Sequence, residues 1–193
     1  MNHLDFEEVI YRRRTIRRFK QKEVKIDILK KLVDYARVAP SGNNIQSIEY
    51  ILIRDPSMRK KIFPLLSWAA SLPKDKRTPE PRRRPTSYII VLVNKTIKKN
   101  ADLEVGAAIE NILLGATNSN LGCCWMGAID RPKIREILEI PDYYDIKNVI
   151  SIGYPDEISV IEPFKDSLKY WKDEEGKMHV PKRSLDDLIL KIV

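Results

Sequence analysis

The sequence predicts a single, layered α+β domain. Segments with helical periodicity and short β-branched runs follow one another without a regular βα alternation, which favours α+β over α/β. The chain has 193 residues, 43% of them hydrophobic and 32% charged, with 7 Gly and 12 Pro. This composition is typical of a folded domain and excludes collagen-like, disordered and disulfide-scaffold classes. One domain covering residues 1–193 is therefore expected.

Two helices are predicted before residue 40. The first is short, includes Leu4, Val9 and Ile10, and runs into an arginine-rich stretch. Asp27 is the expected N-cap of the second helix, whose apolar residues recur at helical spacing. Pro40 disfavours the helical conformation of the residue before it, so this helix should end at about residue 38 or 39.

Two strands and one helix are predicted between residues 48 and 93. Residues 48–53 and 88–93 are short, β-branched runs, and the second is apolar enough to be a buried central strand. Asp55 and Pro56 open a helix that should reach about Trp68, with a disturbance at Pro64. Residues 73–85 hold four prolines and six basic residues, which argues against a regular element and favours a mobile loop or lid.

A long core helix followed by a strand, a helix and a last strand is predicted between residues 102 and 152. The core helix starts at Asp102 and should end with Gly122 just beyond its C-cap. The remaining elements are a strand over residues 123–126 that ends at Gly127, a helix over 130–138 and a strand over 148–152.

Residues 156–193 show little periodicity before Ser184. Residues 184–187 resemble a capping box, with Asp in place of Glu or Gln, ahead of an apolar pattern. A segment of this length without structure is uncommon inside a compact domain. The tail is therefore expected to wrap around a second subunit.

Composition also limits location and partners. No run of 18 apolar residues occurs, and Asp5, Glu7 and Glu8 stand where a signal peptide would be apolar, so a soluble, cytoplasmic protein is expected. Cys123 and Cys124 are adjacent, which suits neither a disulfide framework nor a zinc site. The net charge of +8 is concentrated in residues 12–25 and 73–87, which indicates local anion sites. A basic nucleic-acid-binding module is the alternative from a different class.

Side chains for acid–base or metal chemistry are scarce. Only two histidines occur, His3 and His179, and neither has a partner at metal-ligand spacing. No phosphate loop of the GxxxxGK[ST] type and no GxGxxG turn is present. Anion sites combined with few acid–base groups are typical of a protein whose chemistry is performed by a bound organic cofactor.

Three short constellations have both a functional and a structural interpretation. Residues 13–19 place several guanidinium groups within reach of one phosphate, although a solvated basic surface has the same composition. Residues 40–46 offer a hydroxyl and three amides for a heteroaromatic ring edge, or form a helix-capping turn. Residues 122–127 form a strand end between glycines, which permits close approach of a planar ligand or simply a buried strand.

Taken in order, these segments resemble the nitroreductase family of flavin-dependent oxidoreductases. The resemblance rests on RRTIRRF at residues 13–19 against the pattern RRSxRxF and on APSGNNIQ at 39–46 against APSxxNxQPW. It continues through LGCCWMG at 121–127 against LGxxxxxG, IGYP at 152–155 and PKR at 181–183. Three departures stand out: Ser47 and Ile48 replace the Pro-Trp of the family pattern, Thr15 replaces its Ser, and the basic insertion at residues 74–84 has no counterpart in the pattern.

The resemblance implies a nitroreductase-like fold with a central mixed or antiparallel sheet, an intertwined homodimer and FMN at the subunit interface. Arg17 matches the position facing the flavin N1/O2 edge, and Met126 and Gly127 match backbone near N5. The other matched positions form two sets. One set is expected at the FMN phosphate, where Lys182 and Arg183 add charge, and the other is expected to come from the partner subunit. They are Arg13, Arg14 and Thr15 for the phosphate side, and Pro40, Ser41, Gly42, Asn44 and Gln46 for the partner side.

The implied activity is hydride transfer from NAD(P)H, through flavin N5, to a small electron-poor acceptor such as a nitroaromatic or a quinone. Donor and acceptor would share one pocket in a ping-pong cycle. Because no buried carboxylate is evident, protons are expected to come from water or substrate. Dehalogenation, dehydrogenation or flavin destruction on the same scaffold are the alternatives.

Overall fold

The computed structural model describes residues 5–193, so the predictions made for His3 and Leu4 lie outside the described residues. Six α-helices are found in this part of the chain: α1 (Phe6–Arg12), α2 (Ile26–Arg37), α3 (Pro56–Ile62), α4 (Lys74–Arg77), α5 (Asp102–Asn118) and α6 (Arg131–Ile137). The strands are β1 (Phe19–Lys20), β2 (Ile48–Ile53), β3 (Ser87–Asn94), β4 (Gly122–Met126), β5 (Tyr144–Pro155), β6 (Ser159–Pro163), β7 (Trp171–Lys172) and β8 (Met178–Lys182). Within residues 5–193, every helix is too short or too polar to span a membrane.

The main sheet is antiparallel and is built around β5. Strand β3 pairs with β5 on one side and with β2 on the other, while β4 and the short β1 also pair with β5. Because successive side chains of a strand point to opposite faces, each strand supplies two cores. Ile89 and Val91 pack with α2 and α5, whereas Tyr88 and Ile90 pack with α3 and α6. The predicted layered α+β arrangement is confirmed.

Two helix starts follow the sequence prediction closely. The Asp55 carboxylate accepts the Met58 backbone N–H at 2.7 Å, and the Asp130 carboxylate accepts that of Lys133 at 3.1 Å. Each of these helices also has Pro in its first turn, where the missing N–H removes no intrahelical bond. A side-chain cap combined with an early proline is therefore a reliable start signal in this chain.

Three helix boundaries were predicted wrongly. The helix expected to reach about Trp68 ends at Ile62, and a 3₁₀ turn continues it only to Leu65. Helix α2 begins two residues earlier than expected, so Lys25 is its N-cap and Asp27 lies in the first turn, where its charge favours the helix dipole. Helix α5 ends at Asn118, and Asn120, with φ of 56°, is the residue that turns the chain. Asn tolerates this left-handed conformation, so Gly122 is left free to start β4.

The two segments predicted to lack regular structure both contain it. Residues 73–85 include α4 and a 3₁₀ turn at Pro81–Arg83. The tail holds a second sheet in which β6 runs parallel to β8 and β7 antiparallel to it, and buried Met178 packs against Ala69 and Leu72 of the same chain. The helix expected after Ser184 does not form in the described chain; Ser184 only accepts the Asp187 N–H in a turn. Strands of two to five residues are too short to show the apolar alternation on which the prediction relied.

Candidate functional site

The first basic segment lies beside the start of β4. Thr15 forms a parallel bridge with Cys123, and the Ile16 N–H donates to the Cys123 carbonyl at 2.8 Å. A Cβ atom on Gly122 would lie 2.7 Å from the Cβ of Ile16, which is closer than real Cβ contacts allow. Glycine is therefore required here for residues 13–17 to approach the strand.

Arg13 and Arg14 are held on the same stretch of chain by different partners. Arg13 Nε lies 3.3 Å from Glu110 Oε1 of α5, while Arg14 Nη2 donates to the carbonyls of Ile10 and Tyr11 at 3.3 and 3.2 Å. Burial, followed by the charge of Arg13, lowers the pKa of Arg14. The Arg14 Nε atom is buried and has no hydrogen-bond partner within residues 5–193. The Arg14 guanidinium therefore has a donor that no residue of the described chain uses.

Arg17 is anchored through its backbone and its ring contact. Its N–H donates to Glu157 Oε1 at 2.5 Å, and its guanidinium lies 4.8 Å from the centre of the Tyr170 ring. Its Nε atom is also buried without a partner in the described chain. Burial raises the pKa of the neighbouring Cys124 thiol to about 11, and the Arg17 charge opposes that shift. Arg17 is thus positioned rigidly while keeping a donor unused.

Glu157 and Tyr170 are site neighbours that the sequence did not reveal. The sequence indicated no buried carboxylate near the arginines, and this prediction is wrong, because the Glu157 side chain is 1% exposed. It is compensated by the Arg17 N–H, by Lys172 Nζ at 3.4 Å and by Arg18 Nη1 at 3.8 Å, so it fixes the Arg17 backbone while balancing two neighbouring cations. The signal available was a pair of acids, Asp156 and Glu157, that follows the predicted strand end at residues 152–155.

Residues 40–46 form a tight, left-handed loop. Asn43, Asn44 and Gln46 have φ values of 54°, 54° and 53°, a region that non-glycine residues rarely adopt. The Gln46 N–H donates to Ser41 Oγ at 3.1 Å, and its side-chain amide donates to the Asn44 carbonyl at 3.2 Å. The Gly42 N–H faces Glu104 Oε1 at 3.4 Å. Internal hydrogen bonds therefore fix a conformation that the backbone alone disfavours.

This loop borders a cavity of about 510 Å³ between α2, β2 and α5. Pro40, Ser41 and Gln46 contribute to its wall together with Tyr50 and Glu104. Arg13 meets α5 at Glu110, six residues after Glu104, which corresponds to roughly 9 Å along a helix. Helix α5 therefore contacts both predicted segments of the same chain, the loop through Glu104 and the arginine segment through Glu110.

The remaining predicted residues lie at the ends of β4 and β8, beyond the bridge between Thr15 and Cys123. Met126 ends β4, with its carbonyl accepting from Asn148 at 3.3 Å, and the Gly127 carbonyl accepts from Arg131 at 3.0 Å. Lys182 ends β8 in the small sheet, and Arg183 donates to the Asp187 carbonyl. Among residues 5–193, no cluster of His, Cys, Asp and Glu has the arrangement of a metal site.

Comparison with known proteins identifies the family. The sequence model of the nitroreductase family matches residues 10–154. A protein of Archaeoglobus fulgidus named "Putative NADH dehydrogenase/NAD(P)H nitroreductase" is 31% identical over 156 residues, which cover 77% of this chain and 84% of that protein.

Two solved structures show the same fold. An FMN-dependent nitroreductase from Clostridium difficile R20291 has a TM-score of 0.62 at 27% identity, covering 82% of this chain and 91% of that one. Oxidized iodotyrosine deiodinase, solved with FMN and 3-iodo-L-tyrosine, has a TM-score of 0.69 at 18% identity, covering 83% and 95%. Sequence motifs, sheet topology and these matches agree that the chain belongs to the nitroreductase family.

Proposed function

We propose that this protein is an FMN-dependent oxidoreductase that uses NAD(P)H to reduce a small electron-poor acceptor, such as a nitroaromatic or a quinone. Family membership and the FMN-dependent relative from C. difficile support the flavin. The observation that carries the proposal is the pair of buried, unpartnered guanidinium nitrogens, Nε of Arg14 and Nε of Arg17, beside the start of β4. Leaving such donors unsatisfied costs free energy that an anionic ligand recovers.

The residues present fit a flavin mononucleotide. Guanidinium donors suit the phosphate dianion because they form charge-assisted, bidentate hydrogen bonds. Arg17 carries a fixed positive charge for an electron-rich ring edge. The residues proposed to hold FMN are Arg13, Arg14, Thr15, Lys182 and Arg183 at the phosphate, Arg17 at the N1/O2 edge, Met126 and Gly127 beside the ring, and Pro40, Ser41, Gly42, Asn44 and Gln46 from a partner subunit.

When bound, FMN supplies reversible two-electron chemistry of the hydride-transfer type. The chain contributes positioning and charge. Glu157 and Tyr170 hold Arg17 from two sides, so its cation stays in place where negative charge accumulates. The tight loop at residues 40–46 presents its amides in one conformation, which reduces the entropy lost on binding.

The proposal is tested by cofactor binding and by steady-state reduction. The purified chain should bind FMN, oxidise NADH or NADPH only in its presence, and give parallel double-reciprocal lines when donor and acceptor are varied. Replacing Arg17 by Ala should slow flavin reduction because the cation is lost, whereas Arg17→Lys should retain most of the rate. A chain that binds no FMN, or an unchanged reduction rate in Arg17→Ala, would contradict the respective parts.

We also propose a homodimer in which the end of the tail lies across the partner. Much of residues 156–182 packs in its own small sheet, but the side chains that follow are uncovered: Leu185, Leu188, Leu190, Ile192 and Val193 are exposed. Apolar side chains clustered on a surface are typical of an interaction site. Sedimentation should show a dimer, and removal of residues 185–193 should weaken it; a monomer that still holds FMN would contradict the proposal.

A further inference from the structure

We propose that the chain has a second anion site, separate from the candidate flavin site, that binds a small phosphate-bearing molecule. The site is a cavity of about 420 Å³ between α3, residues 81–85 and the start of β3. Its basic wall consists of Arg59, Lys60 and Arg84, and Phe63 and Tyr88 contribute aromatic surface. None of the thirteen residues proposed to hold FMN lines it.

The cations of this cavity lack the partners that neighbouring cations have. Arg84 Nε and Arg59 Nε are both buried with no hydrogen-bond partner within residues 5–193. Nearby arginines are satisfied instead: Arg54 pairs with Glu23 at 3.5 Å, and Arg83 with Asp156 at 2.6 Å. The lining contains no carboxylate. The Asp55 carboxylate lies outside this lining, but the hydrogen bond from Ser57 and, to a smaller extent, the Arg59 charge lower its pKa, so part of the Arg59 charge is balanced there. Three positive charges therefore line one concave surface whose lining residues include no carboxylate.

The cavity wall is held in place by packing. The Arg84 guanidinium lies 3.9 Å from the centre of the Phe63 ring, and Phe63 is itself buried. The Gln21 side-chain amide donates to the Arg84 carbonyl at 2.9 Å, which fixes the backbone of this segment. A stacked, anchored guanidinium loses little conformational entropy when a ligand binds. The arrangement is therefore more ordered than a solvated basic surface.

The available hydrogen-bonding groups favour a phosphate over other anions. Guanidinium and ammonium groups only donate. Tyr88 adds a hydroxyl: its pKa is raised by burial, while the charges of Arg59 and Arg84 oppose that rise. A tetrahedral dianion presents acceptor oxygens in several directions and balances more of the positive charge than a single carboxylate does. Since the cavity is larger than one phosphate and has Pro and aromatic walls, the ligand class is a phosphomonoester with an apolar or planar portion.

Binding should be measured on the full chain with phenyl phosphate as the probe, by calorimetry and by thermal unfolding, with and without saturating FMN. Inorganic phosphate, sulfate and benzoate are the comparison ligands. Phenyl phosphate should raise the unfolding temperature, because a ligand that binds only the folded state stabilises it. It should do so equally when FMN is bound, and more strongly than benzoate.

The variant Arg59→Gln/Arg84→Gln should weaken phenyl phosphate binding at least tenfold. The matched control is Lys61→Gln/Arg82→Gln, which removes the same charge from α3 and from the same proline-rich segment but outside the cavity lining. An equal loss in both variants, or binding that FMN abolishes, would overturn the proposal, since the first indicates general charge attraction and the second the flavin site. If the double variant does not fold, as judged by circular dichroism, each single variant should weaken binding in its place.

Because this comparison uses binding alone, it remains informative whether or not the chain reduces nitroaromatics. A chain that binds no FMN yet binds phenyl phosphate through Arg59 and Arg84 would contradict the proposed function and support the second site. The reverse pattern would contradict only the second site.

Discussion

The two basic segments of this chain have similar compositions and different roles. In residues 12–25, the stretch at Thr15 lies beside β4, and Arg14 and Arg17 each have a buried nitrogen without a hydrogen-bond partner within residues 5–193. In residues 73–87, Arg77 Nε donates to the Leu72 carbonyl at 2.6 Å and Arg83 pairs with Asp156. The second segment thus uses much of its charge to attach itself to the rest of the domain, and Arg84 is the exception, because its buried Nε has no hydrogen-bond partner within residues 5–193.

The difference shows why a run of charges does not by itself identify a ligand site. A basic side chain can bind a ligand only if carboxylates and carbonyls of the protein do not already use its charge and its donors. Arg18 differs within the first segment, although its Nη1 also lacks a hydrogen-bond partner within residues 5–193: its side chain is 4% exposed, bonds to Glu80 and to the Lys76 carbonyl, and lies 3.8 Å from Glu157 Oε2. It joins the two basic segments to each other instead of facing a ligand.

The largest expected effect tests the ligand-facing arginines. The variant Arg13→Ala/Arg14→Ala should weaken FMN binding by two orders of magnitude or more, since each charge-assisted hydrogen bond contributes about 1.5–3 kcal/mol. A fluorescence titration measures this. Arg12→Ala is the matched control, because Arg12 pairs with Glu8 on an exposed helix face. Equal FMN affinity in the double variant and the wild type would remove these residues from the phosphate site.

A second prediction concerns the buried cation that joins the segments. Arg18→Ala should lower the free energy of unfolding by about 3–5 kcal/mol, because it removes a positive charge that faces the buried Glu157 carboxylate at 3.8 Å. Urea denaturation checks this value. The exposed Arg82→Ala should change stability by less than about 0.5 kcal/mol. If both variants were equally stable, the distinction drawn between the segments would be wrong.

A third prediction tests the close approach of the first segment to β4. Gly122→Ala should destabilise the fold by about 1–3 kcal/mol, because the new Cβ overlaps Ile16. Gly106→Ala on α5 has nothing within 4 Å of its added Cβ and should be neutral or stabilising by up to about 1 kcal/mol. Comparing the two denaturation midpoints separates crowding from helix propensity; a harmless Gly122→Ala would contradict the contact.

The smallest effect concerns acid stability at the junction. Burial alone would raise the pKa of Glu80, but hydrogen bonds from its own backbone N–H and from Arg18 lower it overall. A carboxyl whose folded-state pKa lies below its unfolded value contributes stability above about pH 4.3 that is lost as the pH falls through the folded value. Glu80→Gln should therefore lose less stability than the wild type between about pH 5 and pH 3, as measured by urea denaturation. Identical acid profiles would contradict this role.

Sequence patterns predicted the elements whose start or burial is set locally. Asp55 and Asp130 carry their own capping signal, and the apolar run of β3 is distinctive because both of its faces are buried. The small sheet was missed because β6 to β8 have only five, two and five residues, so their pairing depends on contacts distant in sequence. The same reason hid Glu157, whose importance arises from Arg17 about 140 residues earlier.

The adjacent thiols of β4 have a consequence for durability under oxidising conditions. Cys123 belongs to the core shared with α2 and α5, and Cys124 to the core shared with α3 and α6, so the sheet separates them. Burial raises the pKa of both thiols, which keeps the reactive thiolate scarce. An enzyme that meets quinones, which alkylate thiolates, or peroxide, which oxidises them, is inactivated through such groups. Both cysteines of this chain are buried, one on each face of the sheet, because successive side chains of β4 point to opposite faces, and burial protects them from these reagents.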